Sequence, residues 1–250
     1  MTLLSVDGLA KSYGGVRAVA GVSFSLADGE FLALIGPNGA GKTTCFNMLN
    51  GQIRPDAGSV RLGSRAIAGL TPRQIWRLGV GRTFQVAQSY ASMTVSENVQ
   101  LGLIAHHRRL FSFLARAADL YREQAMALLE QVGMAAQADR PCGVLAYGDL
   151  KRLELAVALA NSPRLLLMDE PTAGMAAGER LSLMALAASL ARARGISMLF
   201  TEHDMDVVFG HADRIIVMNR GSIIGDGTPS AVRSDPQVRE VYLGADTAAA

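Results

Sequence analysis

The sequence predicts an α/β fold built on a parallel sheet, and three observations lead to this prediction. Four short apolar runs lack the polar alternation of half-exposed strands, a pattern typical of strands that are covered on both faces. The runs are Phe31–Ile35, Leu165–Met168, Ser197–Phe200 and Ile215–Met218. Between the second and third runs, Gly178–Arg194 has a helical pattern that ends at Gly195. A helix between consecutive strands indicates a right-handed crossover in a parallel sheet.

Both ends of the chain add strands of a different kind. Ser5–Leu9 and Val16–Leu26 alternate more clearly between apolar and polar residues, and a glycine-rich turn at residues 13–15 separates them. We therefore expect a flanking antiparallel β subdomain. Ile215–Met218 and Ser222–Gly225, with a short turn between them, predict a hairpin near the end of the chain.

The middle of the chain is helical in pattern. From Val95 to Ala138 the sequence is dominated by Ala, Leu, Arg and Glu. Leu120, Ala127, Leu128 and Val132 are spaced to share one helix face. We predict one domain over residues 1–250, with a core from residues 1–86 and 155–230, an inserted helical subdomain over residues 87–154, and a C-terminal helix and tail over residues 231–250.

Composition excludes several classes of protein. The 250 residues are half hydrophobic and 18% charged, with a formal net charge of +2, so we expect no nucleic-acid partner. The longest stretch without a charged residue, Thr83–Ser96, is polar and too short for a membrane-spanning helix of about 20 apolar residues. The first fifteen residues lack the pattern of a secretory signal, and Cys45 and Cys142 are expected to be free thiols in a reducing compartment.

A phosphate-binding loop directly follows the first apolar run. The sequence matches G-x-x-x-x-G-K-[ST] between a predicted strand and a predicted helix. The residues are Gly36, Pro37, Asn38, Gly39, Ala40, Gly41, Lys42, Thr43 and Thr44. The glycines let backbone N–H groups point at phosphate oxygens, and the helix N-terminus adds its positive dipole end. We expect Lys42 to reach the β- and γ-phosphates and Thr43 to help hold Mg²⁺.

Two acids follow the second apolar run. Asp169 and Glu170 lie at the carboxyl end of a predicted parallel strand, the edge of the sheet where ligands bind. Neighbouring residues of a strand point to opposite sides, which predicts two roles. Asp169 suits the Mg²⁺ shell, and Glu170 suits the general base that polarises the attacking water.

These two sites occur with three further features in an order that resembles the ATPase subunits of ATP-binding cassette (ABC) transporters. The features are Gln85, the run Leu145-Ala146-Tyr147-Gly148, and His203. The resemblance covers roughly residues 3–244. It implies a RecA-like P-loop NTPase core with a parallel sheet, the flanking antiparallel β subdomain and the inserted helical subdomain, and it implies hydrolysis of ATP with Mg²⁺.

The resemblance also implies roles for individual residues. Tyr13 stands where an aromatic residue stacks on adenine. Gln85 stands where a glutamine contacts Mg²⁺ or the attacking water and senses the membrane partner. His203 stands where a histidine hydrogen-bonds the γ-phosphate. Together with Lys42 and Glu170, Gln85 and His203 are the expected catalytic residues, and Gln85 joins Thr43 and Asp169 as a metal contact.

The family's signature motif, commonly Leu-Ser-Gly-Gly-Gln, is altered in this sequence. Gly148 is retained and is expected to open a helix over Leu150–Ala160, so that it binds the nucleotide of a partner subunit in trans. Ala146 lacks the hydroxyl that a serine offers to the opposing γ-phosphate. Asp149 places an acid beside the same site.

Shorter motifs resemble one branch of the family. Gly81-Arg82-Thr83-Phe84-Gln85, Glu202-His203-Asp204-Met205 and Val241-Tyr242-Leu243-Gly244 resemble branched-chain amino acid importers, in particular their LivG-type subunit. This resemblance implies an ATPase that powers import of branched-chain or other hydrophobic amino acids. Its implied partners are a second ABC ATPase subunit (in a heterodimer or a homodimer), two integral membrane permease subunits and, indirectly, a periplasmic solute-binding protein. The implied location is the cytoplasmic face of a bacterial inner membrane.

Three other functions remain open at this point. One is the ATPase of a related exporter, such as that of lipopolysaccharide transport. Another is an ABC ATPase without a transporter, which usually carries two cassettes or long coiled coils. A P-loop kinase is the third, but it explains neither the altered signature nor His203.

Overall fold

Two sheets and a set of helices form the part of the chain that the computed structural model describes, residues 1–83, 89–107 and 120–243. The strands are β1 (Thr2–Tyr13), β2 (Val16–Ala27), β3 (Phe31–Ile35), β4 (Ala57–Leu62), β5 (Arg65–Ala66), β6 (Val80–Thr83), β7 (Leu165–Asp169), β8 (Ser197–Thr201), β9 (Arg214–Asn219) and β10 (Ser222–Gly227). The α-helices are α1 (Lys42–Leu49), α2 (Pro72–Trp76), α3 (Val95–His106), α4 (Arg122–Gln131), α5 (Tyr147–Leu159), α6 (Ala177–Ala193), α7 (Met205–His211), α8 (Pro229–Ser234) and α9 (Pro236–Val238).

The first sheet is antiparallel, in the order β2-β1-β4-β5. Its β1–β2 hairpin turns at Gly14 and Gly15, whose φ angles of 51° and 90° lie in the left-handed region that glycine tolerates. The predicted antiparallel strands at Ser5–Leu9 and Val16–Leu26 are therefore confirmed, within longer strands.

The second sheet has the order β10-β9-β3-β8-β7-β6. All its pairings are parallel except that of β10 with β9. The four apolar runs are strands of this sheet, each within one residue of its predicted ends. The hairpin predicted near the end of the chain is the β9–β10 pair, which turns at Arg220 and Gly221, both with positive φ.

The parallel strands are buried on both faces, which explains why their sequences do not alternate. In β3, Phe31, Ala33 and Ile35 belong to the core shared with the helices from α3 to α7. Leu32 and Leu34 belong to a second core shared with the antiparallel sheet and α1. Burying each of the Leu, Ile and Phe side chains contributes about 1.5–3 kcal/mol relative to leaving it exposed, so a polar residue at any of these positions would be unfavourable.

Helix ends follow local capping rules. α3 is capped by Thr94, whose Oγ1 accepts a hydrogen bond from the Glu97 N–H, while the Glu97 carboxylate accepts one from the Thr94 N–H. α6 lies where a helix was predicted and is followed by Gly195 at φ 64°. None of the described helices is long and apolar enough to cross a membrane.

The predicted helix face in the middle of the chain is partly wrong. Leu128 and Val132 are buried, but Ala127 is exposed and Leu120 precedes the helix. The buried positions of α4 and its C-cap are Ala125, Leu128, Leu129 and Val132. They follow the i, i+3, i+4, i+7 spacing of one helix face, counted from a residue that the prediction did not include.

Two other helix boundaries differ from the prediction. α5 begins at Tyr147 rather than Leu150, because Ala146 is extended and takes the N-cap position, and the acid Asp149 suits the first helical turn. α5 also continues across the predicted division of the chain after Glu154. At the C-terminus, the helix expected from residue 231 is divided into α8, α9 and a π turn, since Pro236 starts a new helix behind its own cap, Asp235.

Candidate functional site

The loop between β3 and α1 is shaped by three left-handed glycines. Gly36, Gly39 and Gly41 have φ angles of 147°, 79° and 101°. A Cβ added to Gly36 would lie 2.1 Å from the carbonyl oxygen of Met218, and one added to Gly41 would lie 2.2 Å from that of Ala18. The loop is therefore pressed against the backbones of β9 and β2, and only glycine fits at these two positions.

Lys42 opens α1 and turns its side chain back into this loop. Its Nζ donates to the carbonyl oxygens of Gly36 at 2.6 Å and Pro37 at 3.2 Å. Burial lowers the pKa of Lys42, and the nearby charges of Glu170 and Asp169 act in the opposite direction. The arrangement places one ammonium between the loop and two acids. The next residue, Thr43, is exposed.

Asp169 is a buried carboxylate held on both oxygens. Thr201, its register partner at the end of β8, donates from its hydroxyl to Oδ1 at 2.9 Å, and Arg82 donates to Oδ2 at 3.3 Å. Burial raises the pKa of Asp169, while the Thr201 hydrogen bond and the Arg82 charge lower it. The two hydrogen bonds fix the carboxylate in position at the carboxyl end of β7.

Glu170 and His203 meet beside Asp169. Glu170 has a φ of 48°, unusual for a residue other than glycine. Its N–H donates to the Thr201 hydroxyl at 2.9 Å, and its Oε1 lies 2.9 Å from Nε2 of His203. The His203 side chain is 44% exposed and that of Glu170 is 16% exposed, so this contact lies at the surface of the site.

Behind this contact lies a second acid. Glu202 is 3% exposed and accepts hydrogen bonds from the N–H and the hydroxyl of Thr172 and from the N–H of His203. Burial raises the pKa of Glu202, and the Thr172 and His203 hydrogen bonds lower it.

The donor set at the loop fits Mg²⁺. Asp169 offers a carboxylate and Thr43 offers a hydroxyl, both hard oxygen donors. The described residues contain no group of three His, Cys, Asp or Glu side chains that could hold a metal. Mg²⁺ at a phosphate site does not need such a group, since it is typically bound by one or two protein oxygens, substrate phosphates and water.

Three further predicted residues lie on other segments of the chain. Tyr13 ends β1 and is 48% exposed, with Lys11 Nζ 5.7 Å from its ring centroid. Gly148 lies in the first turn of α5, where an added Cβ would have Met175 and Glu179 as its nearest neighbours. Gln85 lies outside the described residues.

The altered signature is anchored within its own chain. Ala146 makes no side-chain capping hydrogen bond at the N-terminus of α5, and Tyr147 is 40% exposed. The Asp149 carboxylate accepts a hydrogen bond from Gln137 at 3.1 Å, which holds this acid against the neighbouring helical segment.

Sequence reasoning missed Arg82, Thr201, Thr172 and Glu202 as parts of the site. Thr201 had a usable signal, since a hydroxyl ending one parallel strand faces an acid that ends the next. The Arg82 contact depends on β6 lying beside β7, and the Thr172–Glu202 contact joins residues 30 positions apart. Neither could be found without the strand order.

Comparison with known proteins gives consistent results. The model of the family described as ABC transporter matches residues 19–173, and that described as branched-chain amino acid ATP-binding cassette transporter matches residues 222–248. The high-affinity branched-chain amino acid transport ATP-binding protein LivG of Salmonella typhimurium is 42% identical over 97% of this chain and 98% of its own.

Solved structures of related proteins have the same fold. A crystal structure of an ATP-binding cassette of an ABC transporter in its ADP conformation aligns with a TM-score of 0.85 at 33% identity, covering 98% of this chain and 99% of its own. A dimeric ATP-binding cassette in a post-hydrolysis state, bound to ADP and Pi, aligns with a TM-score of 0.78 at 25% identity, covering 91% and 99%.

Proposed function

This chain belongs to the ATP-binding subunits of ABC transporters, and we propose that it powers the import of branched-chain or other hydrophobic amino acids. As a member of this family it binds ATP and hydrolyses it. The amino-acid assignment is supported by the C-terminal match at residues 222–248 and by the name of the Salmonella relative. An exporter is not favoured, because these matches name amino-acid transport.

The observation that carries the assignment of the site is the convergence of three chain segments on one edge of the parallel sheet. The glycine loop with Lys42 follows β3, Asp169 ends β7 with Glu170 directly after it, and His203 follows β8. Neighbouring parallel strands bring these side chains together, so that His203 contacts Glu170 and the charges of both acids act on Lys42.

These residues can perform hydrolysis of the terminal phosphate. Loop N–H groups and the Lys42 ammonium hold the β- and γ-phosphates of ATP and neutralise charge as it develops there. Glu170 accepts a proton from the attacking water through a carboxylate oxygen while the new P–O bond forms and the bond to the β-phosphate oxygen breaks. His203 lies within hydrogen-bond distance of Glu170 through Nε2, which holds Glu170 in place, and its ring is proposed to form a hydrogen bond with the γ-phosphate when ATP is bound.

Contacts to Mg²⁺ and to the adenine of ATP complete the proposed site. Asp169 and Thr43 would hold Mg²⁺, which supplies additional neutralisation of phosphate charge when bound. Gln85 is proposed as a further contact to the metal or the attacking water. Tyr13 would stack its exposed ring on adenine. The loop residues Gly36, Pro37, Asn38, Gly39, Ala40, Gly41 and Thr44 would surround the phosphates.

The assembly follows from the same family membership. Two ATP-binding subunits would form a dimer, as the dimeric state of a solved neighbour supports. We propose that they sandwich ATP, with Gly148 of one subunit facing the phosphate loop of the other. Two membrane permeases would carry the solute, delivered by a periplasmic binding protein, and would hold this subunit at the cytoplasmic face of the membrane. The division into a core and a helical subdomain over residues 87–154 remains a proposal, and the structure places its C-terminal boundary inside α5.

Solute-stimulated ATPase activity tests the proposal. The full chain is purified with its co-expressed permeases, the second ATPase subunit and the binding protein, and reconstituted in proteoliposomes. We expect leucine, isoleucine or valine to raise the rate of ATP hydrolysis, with lysine as the matched negative control. Equal rates with and without all three solutes would contradict the branched-chain assignment, while hydrolysis itself would still be measured.

A further inference from the structure

We propose that Glu202 is a positioning residue for ATP hydrolysis, which acts by fixing the loops that carry Glu170 and His203. The inference rests on the roles proposed above for those two residues. Glu202 itself is set back behind the surface contact and is not among the residues proposed to touch the nucleotide.

The burial of Glu202 requires an explanation. A carboxylate that is 3% exposed loses its hydration and is costly to bury unless hydrogen bonds replace the lost water. Oε1 accepts from the Thr172 N–H at 2.9 Å and from the Thr172 hydroxyl at 2.7 Å, and Oε2 accepts from the His203 N–H at 3.2 Å. Three donors from two different loops are therefore directed at one carboxylate.

The positions of these donors connect the carboxylate to the catalytic pair. Thr172 lies two residues after Glu170, and Glu202 directly precedes His203. The two loops are thus joined twice, once at the surface by the 2.9 Å contact between His203 and Glu170, and once in the interior by Glu202 and Thr172. Thr172 is fully buried, whereas the His203 side chain is 44% exposed.

The interior link is the more rigid of the two. A hydrogen bond between buried groups has no competing water, while the surface contact does. Glu202 also holds the backbone N–H of the same residue whose ring meets Glu170. Since a displacement of about 1 Å can cost a reaction roughly 100-fold in rate, loosening the interior link is expected to slow hydrolysis without removing any group that contacts ATP.

Kinetics of the full chain test this inference. Glu202→Ala is expected to lower kcat for ATP hydrolysis by roughly 10- to 100-fold, the range found when a partner that orients a functional ligand is removed, with the Kd for ATP changed less than about twofold. Glu202→Gln keeps the oxygen that accepts from Thr172 but cannot accept from His203, so its kcat should lie between that of Ala and the unmodified chain.

A second pair of variants tests the inference even if the Glu202 variants do not fold. Thr172→Val is close in shape and removes only the hydroxyl that donates to Glu202, whereas Thr172→Ser keeps it. The valine variant should show reduced kcat and the serine variant should not. Glu130→Gln, at an exposed position of α4, is the matched control for loss of one carboxylate.

A double-mutant cycle separates positioning from a purely structural role. Because His203→Ala removes one of the two side chains that Glu202 is proposed to position, Glu202→Ala in that background should lower kcat by a smaller factor than it does in the unmodified chain. The inference would be overturned if the fold decreases in kcat of Glu202→Ala and His203→Ala multiplied in the double variant. It would also be overturned if kcat were unchanged in both Glu202→Ala and Thr172→Val. If His203→Ala alone left turnover unchanged, the proposed role of His203 would fail as well, which distinguishes the two failures.

Discussion

At the scale of single residues, one hydroxyl connects the two acids of the site. Thr201 Oγ1 donates to Asp169 and accepts from the N–H of Glu170, both at 2.9 Å. Glu170 adopts a left-handed backbone, which typically costs about 1–3 kcal/mol and persists only where the surroundings enforce it. The Thr201 hydroxyl is one of the groups that enforce it, and it also orients the carboxylate proposed to bind metal.

Removing this hydroxyl should slow the reaction. Thr201→Val keeps the shape of the buried side chain but deletes both hydrogen bonds, so we expect kcat to fall by about tenfold. Thr201→Ser keeps the hydroxyl and should retain most of the activity. The measurement is steady-state ATP hydrolysis at saturating ATP and Mg²⁺, with the thermal midpoint recorded for both variants. Equal kcat in the two variants would show that the hydroxyl has no part in the site.

At the scale of elements, the loop between β3 and α1 owes its shape to backbone contacts with two other strands. Gly36 approaches the Met218 carbonyl of β9, and Gly41 approaches the Ala18 carbonyl of β2. The loop is therefore held by both sheets. Gly41 is also the N-cap of α1 in a left-handed conformation, with no side-chain cap.

A methyl group at this cap should disrupt the loop. Gly41→Ala would place Cβ 2.2 Å from the Ala18 carbonyl at a φ of 101°, and we expect ATP binding to be lost and stability to fall by at least about 1–3 kcal/mol. Gly178→Ala is the matched control, since Gly178 lies in α6 without positive φ and with open space around it. It should raise stability by about 0.4–1 kcal/mol. Nucleotide binding and thermal unfolding measure both effects.

The uncapped start of α5 gives a second prediction at this scale. Ala146 takes the N-cap position without a capping hydrogen bond, so Ala146→Ser should stabilise the chain by about 0.5–2 kcal/mol. Because the signature is proposed to act on the nucleotide of a partner, the affinity of this subunit for its own ATP should be nearly unchanged. Calorimetry of the single subunit measures both. A large loss of ATP affinity would mean that the signature acts within the chain.

At the scale of the whole molecule, the parallel sheet explains the unusually apolar composition. Its strands are covered by helices on one face and by the antiparallel sheet with α1 on the other. Those strands have no solvent-facing side to make polar, so half of the chain can be hydrophobic without a membrane-spanning helix among the described residues.

The strands were predictable because each carries its own pattern. Phe31–Ile35 and Leu165–Met168 were found from local hydrophobicity alone, and the phosphate loop from its glycine spacing. The buried face of α4 was partly missed, since Ala127 is as apolar as Ala125 and only the packing decides which is covered. The local sequence therefore does not determine which of the two alanines is buried.

The site was predictable to the extent that its residues follow strands. Lys42, Asp169 and Glu170 were predicted from the phosphate-loop motif or from their place at the end of an apolar run, whereas the role of His203 was predicted only from the family resemblance. Arg82, Thr172 and Glu202 depend on which strands are neighbours and on hydrogen bonds between distant segments. These contacts form only in the assembled sheet, so no local sequence pattern predicts them.

The central claim is that ATP hydrolysed at Glu170 drives solute import. Its most direct test measures ATP binding, ATP hydrolysis and amino-acid uptake together in the reconstituted transporter carrying Glu170→Gln, with Glu130→Gln as control. We predict retained ATP binding, a loss of hydrolysis of at least about 100-fold and no uptake, with the control unaffected. Undiminished hydrolysis or uptake in the Glu170→Gln transporter would contradict the account.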